Sequence, residues 1–176
     1  DIIILPGSKQ TIKDLNQIYS SGLDKQIKQY IKNSGSIFGI CGGLQMLGKT
    51  LKDPFGIENK HTNNDSILFK GLDFLPINTV FREKKSLNRI ETNFVWPGKT
   101  KVSGFEMHYG SSYAIPSDEN RLEAISEIPY LGWKTNNEFG GYIAGTYLHG
   151  VFDNGPWRRM WLNEIRSRKN LPPLMI

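Results

Sequence analysis

Gly39-Ile40-Cys41-Gly42-Gly43-Leu44-Gln45 sets the only cysteine of the chain between two apolar runs. Before it, Ser36 to Ile40 has the character of a short buried strand; after it, Gly42 to about Leu51 reads as a helix. A thiol at a sharp strand-to-helix turn is lifted out of the sheet, and small neighbours let the backbone close up behind it. The helix that follows aims its N-terminal amides and dipole at the sulfur, which favours thiolate over thiol. The plainer alternative is a buried structural cysteine in a tight turn. The surrounding chain argues against it.

Working outward, Asp1 to Leu5 reads as a buried strand ended by the turn Pro6-Gly7-Ser8. Thr11 or Asp14 is placed to cap the next helix, whose apolar positions Leu15, Ile18, Tyr19, Leu23, Ile27, Tyr30 and Ile31 keep helical spacing across a break at Ser21-Gly22. Strand, helix, strand, elbow, helix is the pattern of an α/β fold with an open, mainly parallel sheet, whose sites lie at the carboxyl ends of the strands. Further along, Pro54 to Asp65 reads as a polar loop, while Thr79 to Arg82, Asn93 to His108 and Ser112 to Ile115 read as strands. Tyr130 to Trp133 and Gly141 to Leu148 are late strands joined by the turn Asn136 to Gly140. Trp157 to about Lys169 reads as a docked helix with Trp157, Trp161, Leu162 and Ile165 on one face. No repeat or linker divides the chain, so residues 1–176 are expected to be one domain. The opening inside a core strand, without an initiator methionine, reads as a fragment lacking a preceding strand and helix.

At 176 residues, with 38% hydrophobic and 22% charged residues, the chain suits a globular domain with a proper core. A single cysteine excludes an internal disulfide, which points to a cytoplasmic setting. No apolar run has transmembrane length, so no membrane partner is expected. The three histidines, His61, His108 and His149, are too dispersed to suggest a metal site with Cys41. The net charge of +5 is scattered without a nucleic-acid motif and reads as solvated surface.

The second chemical element is Gly145-Thr146-Tyr147-Leu148-His149-Gly150, a histidine ending an apolar strand at the sheet edge that displays the elbow. His149 is the candidate general base for Cys41 and the candidate proton donor to a leaving amine. The third is the turn Leu5-Pro6-Gly7-Ser8-Lys9, which can aim the N–H of Gly7 or Ser8 into the space above the elbow. With the N–H of Gly42 it makes an oxyanion hole.

These elements, in this order, resemble the class I (triad-type) glutamine amidotransferases, whose Gly-x-Cys-x-Gly-x-Gln elbow is matched by Gly39, Cys41, Gly43 and Gln45. The resemblance implies a flavodoxin-like class I amidotransferase fold, truncated at its N-terminus. It also implies L-glutamine as the substrate, Cys41 as nucleophile, His149 as base and Gln45 as a holder of the substrate. More closely, Leu5 to Lys9, Cys41 to Gly48, Asp53 to Glu58, Gly71 to Pro76, Gly104 to Gly110 and Gly145 to Asn154 are similar to the amidotransferase domains of the cobyric acid synthase family. That likeness implies a cobalamin-pathway ligase that amidates the carboxylates of adenosylcobyrinic acid a,c-diamide. The corrinoid acceptor would be reached through a separate ATP-binding synthetase domain carrying ATP and Mg, with no cofactor in this chain. No phosphate-binding Gly-x-x-x-x-Gly-Lys-Ser/Thr loop occurs in the sequence.

The chain departs from the family pattern at Val151, where a glutamate two residues after the histidine is usual. The site is then a Cys–His dyad, or Glu106 or Asp153 stands in; His108 is either a lining residue or structural. Related glutaminases serving cobyrinic acid a,c-diamide synthases or peptidoglycan precursors remain alternatives. So do a non-catalytic interaction domain and a cysteine hydrolase, against which Gln45 argues.

Overall fold

A computed structural model of the chain describes residues 1–58 and 67–175. The loop expected over Pro54 to Asp65 falls partly outside these residues, and His61 wholly so. Strands β1 (Ile3–Leu5), β2 (Ile37–Ile40) and β9 (Tyr142–Thr146) lie side by side and parallel, with β2 in the middle. Antiparallel strands β8 (Gly132–Asn136) and β7 (Glu123–Ala124) complete this five-stranded sheet. Because β1, β2 and β9 run the same way, the Pro6-Gly7-Ser8 turn, Cys41 and His149 all emerge at one edge. That is where an open α/β sheet gathers a site.

Helices α1 (Thr11–Ser20) and α2 (Leu23–Lys32) connect β1 to β2 and bury Ile12, Leu15, Ile27 and Ile31 in the common core. The left-handed Gly22 separates them, at the break the sequence marks. Neither Thr11 nor Asp14 caps α1 with its own side chain. The N-cap residue is Gln10, and the carboxylate of Glu58 accepts the Thr11 N–H at 2.5 Å from 47 residues away. Asp14 instead accepts from Ser8 Oγ at 2.5 Å, which ties the turn after β1 to the helix.

Helix α4 (Gly155–Ser167) inserts Trp157, fully buried, and Trp161 against Phe38 of β2, with ring centroids 5.9 Å apart in both pairs. The Trp157 indole N–H donates to the Trp96 carbonyl at 3.0 Å. A buried tryptophan contributes most when its one polar atom is satisfied. The four-residue β2 is apolar because it is covered from both sides, as parallel strands are.

Helix α3 (Gly42–Leu47) is shorter than the apolar spacing of Leu44, Met46, Leu47 and Leu51 suggests. It stops at Gly48, whose backbone is extended, and Thr50–Lys52 forms β3, with Leu51 fully buried. Apolar residues at 3.6 spacing cannot reveal that the last of them belongs to a strand. β3 joins a second, four-stranded sheet of order β4 (Leu68–Lys70), β3, β5 (Ile77–Phe94), β6 (Thr100–Ala114). The strand expected over Asn93 to His108 is therefore broken. The chain reverses between Phe94 and Thr100, where Trp96-Pro97-Gly98 supplies the turn, and one long antiparallel hairpin results.

The hairpin is interrupted once. Val80 pairs with Ser111 and Lys85 with Tyr109, so Phe81 to Lys84 stand opposite Gly110 alone. Gly110 has φ +96, and a Cβ there would lie 2.9 Å from the Val80 carbonyl oxygen; only glycine fits the bulge.

Candidate active site

Cys41 has φ 51 and ψ −107, a strained backbone for any residue with a side chain. Its N–H donates to the Thr146 carbonyl at 2.8 Å, which pins the elbow between β2 and β9. Close approach of α3 makes the turn possible: a Cβ on Gly43 would lie 2.1 Å from the Leu5 carbonyl oxygen. The small residues flanking the cysteine thus let the helix close against the strands.

The turn after β1 sits directly on this elbow. A point at the Cβ position of Gly7 lies 3.4 Å from Cε1 of His149 and 3.8 Å from Cβ of Cys41. A point at that of Gly42 lies 2.9 Å from the Ser8 backbone nitrogen. Gly7, Ser8, Cys41, Gln45 and His149 line one cavity of about 490 Å³. Gly42 is buried immediately beneath the turn.

The electrostatics differ from a thiolate held by a helix. Cys41 is 5% exposed, and burial pushes its thiol up to about 11, with the Gly42 backbone N–H pulling only partly the other way. Six residues of helix and one amide do not offset the desolvation of a sulfur anion. The resting group is a thiol, and its Sγ–H points to the Met107 carbonyl at 3.6 Å. Burial also lowers the His149 imidazole below its ordinary value; the Met107 carbonyl opposes this and His108 adds to it. His149 Nε2 is buried without a hydrogen-bond partner among the described residues. One backbone carbonyl on β6 thus stands against both the thiol and the imidazole.

Phe105 covers the other face of the imidazole, its ring stacked at 5.0 Å with 7° between planes. The two backbones are also paired, with the His149 N–H donating to the Phe105 carbonyl at 2.9 Å. The hairpin therefore roofs the site, and the sequence marks neither Met107 nor Phe105 for that task.

Val151 is buried in the core, just beyond His149. Neither carboxylate considered in its place reaches the imidazole. Asp153 is exposed, and Glu106, 2% exposed, turns to His108 Nε2 at 3.1 Å and Asn88 Nδ2 at 3.3 Å. His108 lines the cavity, yet its other nitrogen faces the Gly110 carbonyl at 2.8 Å and its ring stacks on Tyr147 at 3.9 Å. With both nitrogens engaged it has no lone pair to offer Cys41. Gln45, 2% exposed, is held by the Tyr109 carbonyl at 3.0 Å, Tyr147 Oη at 3.3 Å and Thr11 Oγ1 at 3.4 Å. A thiol and an imidazole nitrogen without a partner among the described residues, beneath a tight turn, can carry out acyl transfer. Among the described residues no group of three or more His, Cys, Asp or Glu side chains could hold a metal ion. No described helix is long and apolar enough to cross a membrane.

Comparison with known proteins gives this geometry a context. Residues 1–157 match the CobB/CobQ-like glutamine amidotransferase domain. A cobyric acid synthase of Prochlorococcus marinus (strain MIT 9313) is 47% identical over 99% of this chain and 35% of its own length. One from Parasynechococcus marenigrum (strain WH8102) is 49% identical over 99% of this chain and 34% of its own length. The chain thus spans about a third of the length of these curated relatives. A solved structure described as the crystal structure of glutamine amidotransferase aligns with TM-score 0.62 at 13% identity, over 93% of this chain and 78% of that one. It speaks for the fold.

Proposed function

We propose, from the premise that the chain belongs to the CobB/CobQ-like glutamine amidotransferase domain family, that it cleaves the side-chain amide of L-glutamine and delivers the ammonia to an ATP-dependent amidation. The observation that carries this reading is a strained elbow cysteine sharing one cavity with a histidine whose Nε2 is unpartnered.

In this mechanism the Cys41 proton passes to His149 Nε2 as the sulfur attacks the amide carbon. The thiol of about 11 and the imidazole of lowered basicity make a neutral resting pair, so the ion pair forms only when an amide is present to be attacked. The oxyanion of the tetrahedral intermediate takes hydrogen bonds from the N–H of Gly42 and of Gly7 or Ser8. The imidazolium returns its proton to the departing nitrogen, ammonia leaves, and a glutamyl thioester remains on Cys41. Water, deprotonated by His149, then releases glutamate and restores the thiol. With Val151 in place of a carboxylate and neither Glu106 nor Asp153 at the imidazole, the site works as a Cys–His dyad beside the Met107 carbonyl. Gln45 lines the substrate end of the cavity.

Relatives named cobyric acid synthase support a corrinoid acceptor, the carboxylates of adenosylcobyrinic acid a,c-diamide. This reading assigns ATP and Mg to a synthetase region outside the third of such proteins that the chain spans, and a cytoplasmic, cofactor-free role to the amidotransferase itself. The test is a glutamine-shaped diazo-ketone applied to the intact protein, with the adduct located by mass spectrometry. A single adduct on Cys41, suppressed by excess glutamine, is the expected result. Labelling elsewhere, or labelling indifferent to glutamine, overturns the reading.

A further inference from the structure

The cavity over Cys41 contains two opposite charges that the cysteine–histidine chemistry leaves unused, Glu58 and Lys85. They enter from different walls. Glu58 is half-buried at the start of α1, where its carboxylate accepts the Thr11 N–H at 2.5 Å. Its loop is held by Asp53, whose two carboxylate oxygens accept the N–H groups of Ile57 and Glu58, each at 2.9 Å. Lys85 emerges from the far side of the β5 bulge, with its ammonium 5.5 Å from the centre of the Tyr109 ring. Among the described residues neither group has an ion-pair partner.

A carboxylate losing solvent to a cavity wall without a cation is held at a cost, and a ligand ammonium relieves it. A lysine over an aromatic ring is pre-oriented and can take a carboxylate. One such charge alone fits many ligands. A carboxylate and an ammonium flanking one thiol fit a zwitterion, which is what an α-amino acid carries two methylenes away from a side-chain amide.

We propose that Glu58 binds the α-ammonium and Lys85 the α-carboxylate of the amino acid whose side chain is attacked by Cys41. The proposal rests on the amidotransferase reading above and adds the residues that restrict it to α-amino acid amides. The charges are also felt at the sulfur: Glu58 raises the Cys41 thiol and Lys85 lowers it. A bound zwitterion compensates both. Lys9 lines the same cavity but acts on the sulfur in no comparable way, so Lys85 is the better partner for the carboxylate.

The experiment compares Glu58→Gln and Lys85→Met in the intact protein. Glutamine at residue 58 can still accept the Thr11 N–H, so the α1 cap survives while the charge is lost. Three substrates are used: glutamine, glutaramic acid (no α-ammonium) and 4-aminobutanamide (no α-carboxylate). The wild type should prefer glutamine to each analogue by about 10- to 100-fold in kcat/KM. Glu58→Gln should erase the preference over glutaramic acid alone, and Lys85→Met that over 4-aminobutanamide alone, mainly through KM. Cys41 alkylation by iodoacetamide, which has neither charged group, should persist in both variants, faster in Glu58→Gln and slower in Lys85→Met as each charge is lost from the neighbourhood of the thiol. Variants that keep the wild-type preferences overturn the proposal, as does a loss that follows Lys9→Met instead of Lys85→Met. A wild type that neither cleaves glutamine nor is labelled by the diazo-ketone fails at the earlier reading, which separates the two failures.

Discussion

The parallel strands β1, β2 and β9 and the hairpin β5–β6 divide the site between them in opposite ways. The parallel strands are three to five residues long, apolar, and end in the groups with reactive side chains. The hairpin strands are 18 and 15 residues long, and β6 inverts the usual pattern. Its buried face carries Glu106, His108 and Ser112, while Phe105, Met107, Tyr109 and Tyr113 lie on the opposite, more exposed face, from which the Phe105 ring covers His149. The inward polar groups are satisfied: Ser112 Oγ meets Thr79 Oγ1 at 2.7 Å and Tyr147 Oη at 2.6 Å. In the proposed mechanism one region supplies nucleophile and base through side chains. The other supplies a roof, largely through backbone carbonyls held in place by a buried polar network. Chemistry and positioning have been separated into two sheets.

If that division is right, Cys41→Ala should have the largest effect, lowering glutaminase kcat by about four to six orders of magnitude. Residual turnover within about tenfold of wild type would break the comparison at its root. His149→Ala should cost about 10²- to 10⁴-fold. The sign of its pH dependence follows from burial. Burial disfavours the imidazolium, so the acid limb of kcat/KM should lie below the ordinary imidazole value of about 6.5, and His149→Ala should remove it. On the hairpin, Glu106→Ala strips a buried partner from His108 and Asn88. It should cost about 3–5 kcal/mol of unfolding free energy in a denaturant titration, with the chemical step in the folded fraction changed far less. A catalytic collapse without destabilisation would move Glu106 into the reacting group. Asp153→Ala, at an exposed position without contact to the imidazole, should change kcat by less than about twofold.

The same division explains what could be read from the amino acids. β1, β2, the elbow, the paired helices and the tryptophan face of α4 announce themselves through local apolar spacing, and Cys41 and His149 through residue type beside glycine. The hairpin was legible only in pieces. Its continuity depends on pairing between Ile77 and Ala114, 37 positions apart, and the apolar alternation of Phe105, Met107 and Tyr109 marks the exposed face of β6, not the buried one. The Glu58 cap on α1 depends on a contact 47 residues away, whereas Thr11 and Asp14 lay nearby with the right chemistry. The Met107 carbonyl carried no signal at all, because every residue has one. A site built from backbone atoms leaves its geometry in the fold and not in the composition.

The burial of Cys41 has a consequence for the chain at rest in an oxidising challenge. Peroxide reacts with thiolate, and a thiol held at about 11 presents only about one part in ten thousand of that form at pH 7. At rest the sulfur is thereby a poor target for overoxidation. Under the proposed mechanism, durability and reactivity share one switch, the arrival of an amide.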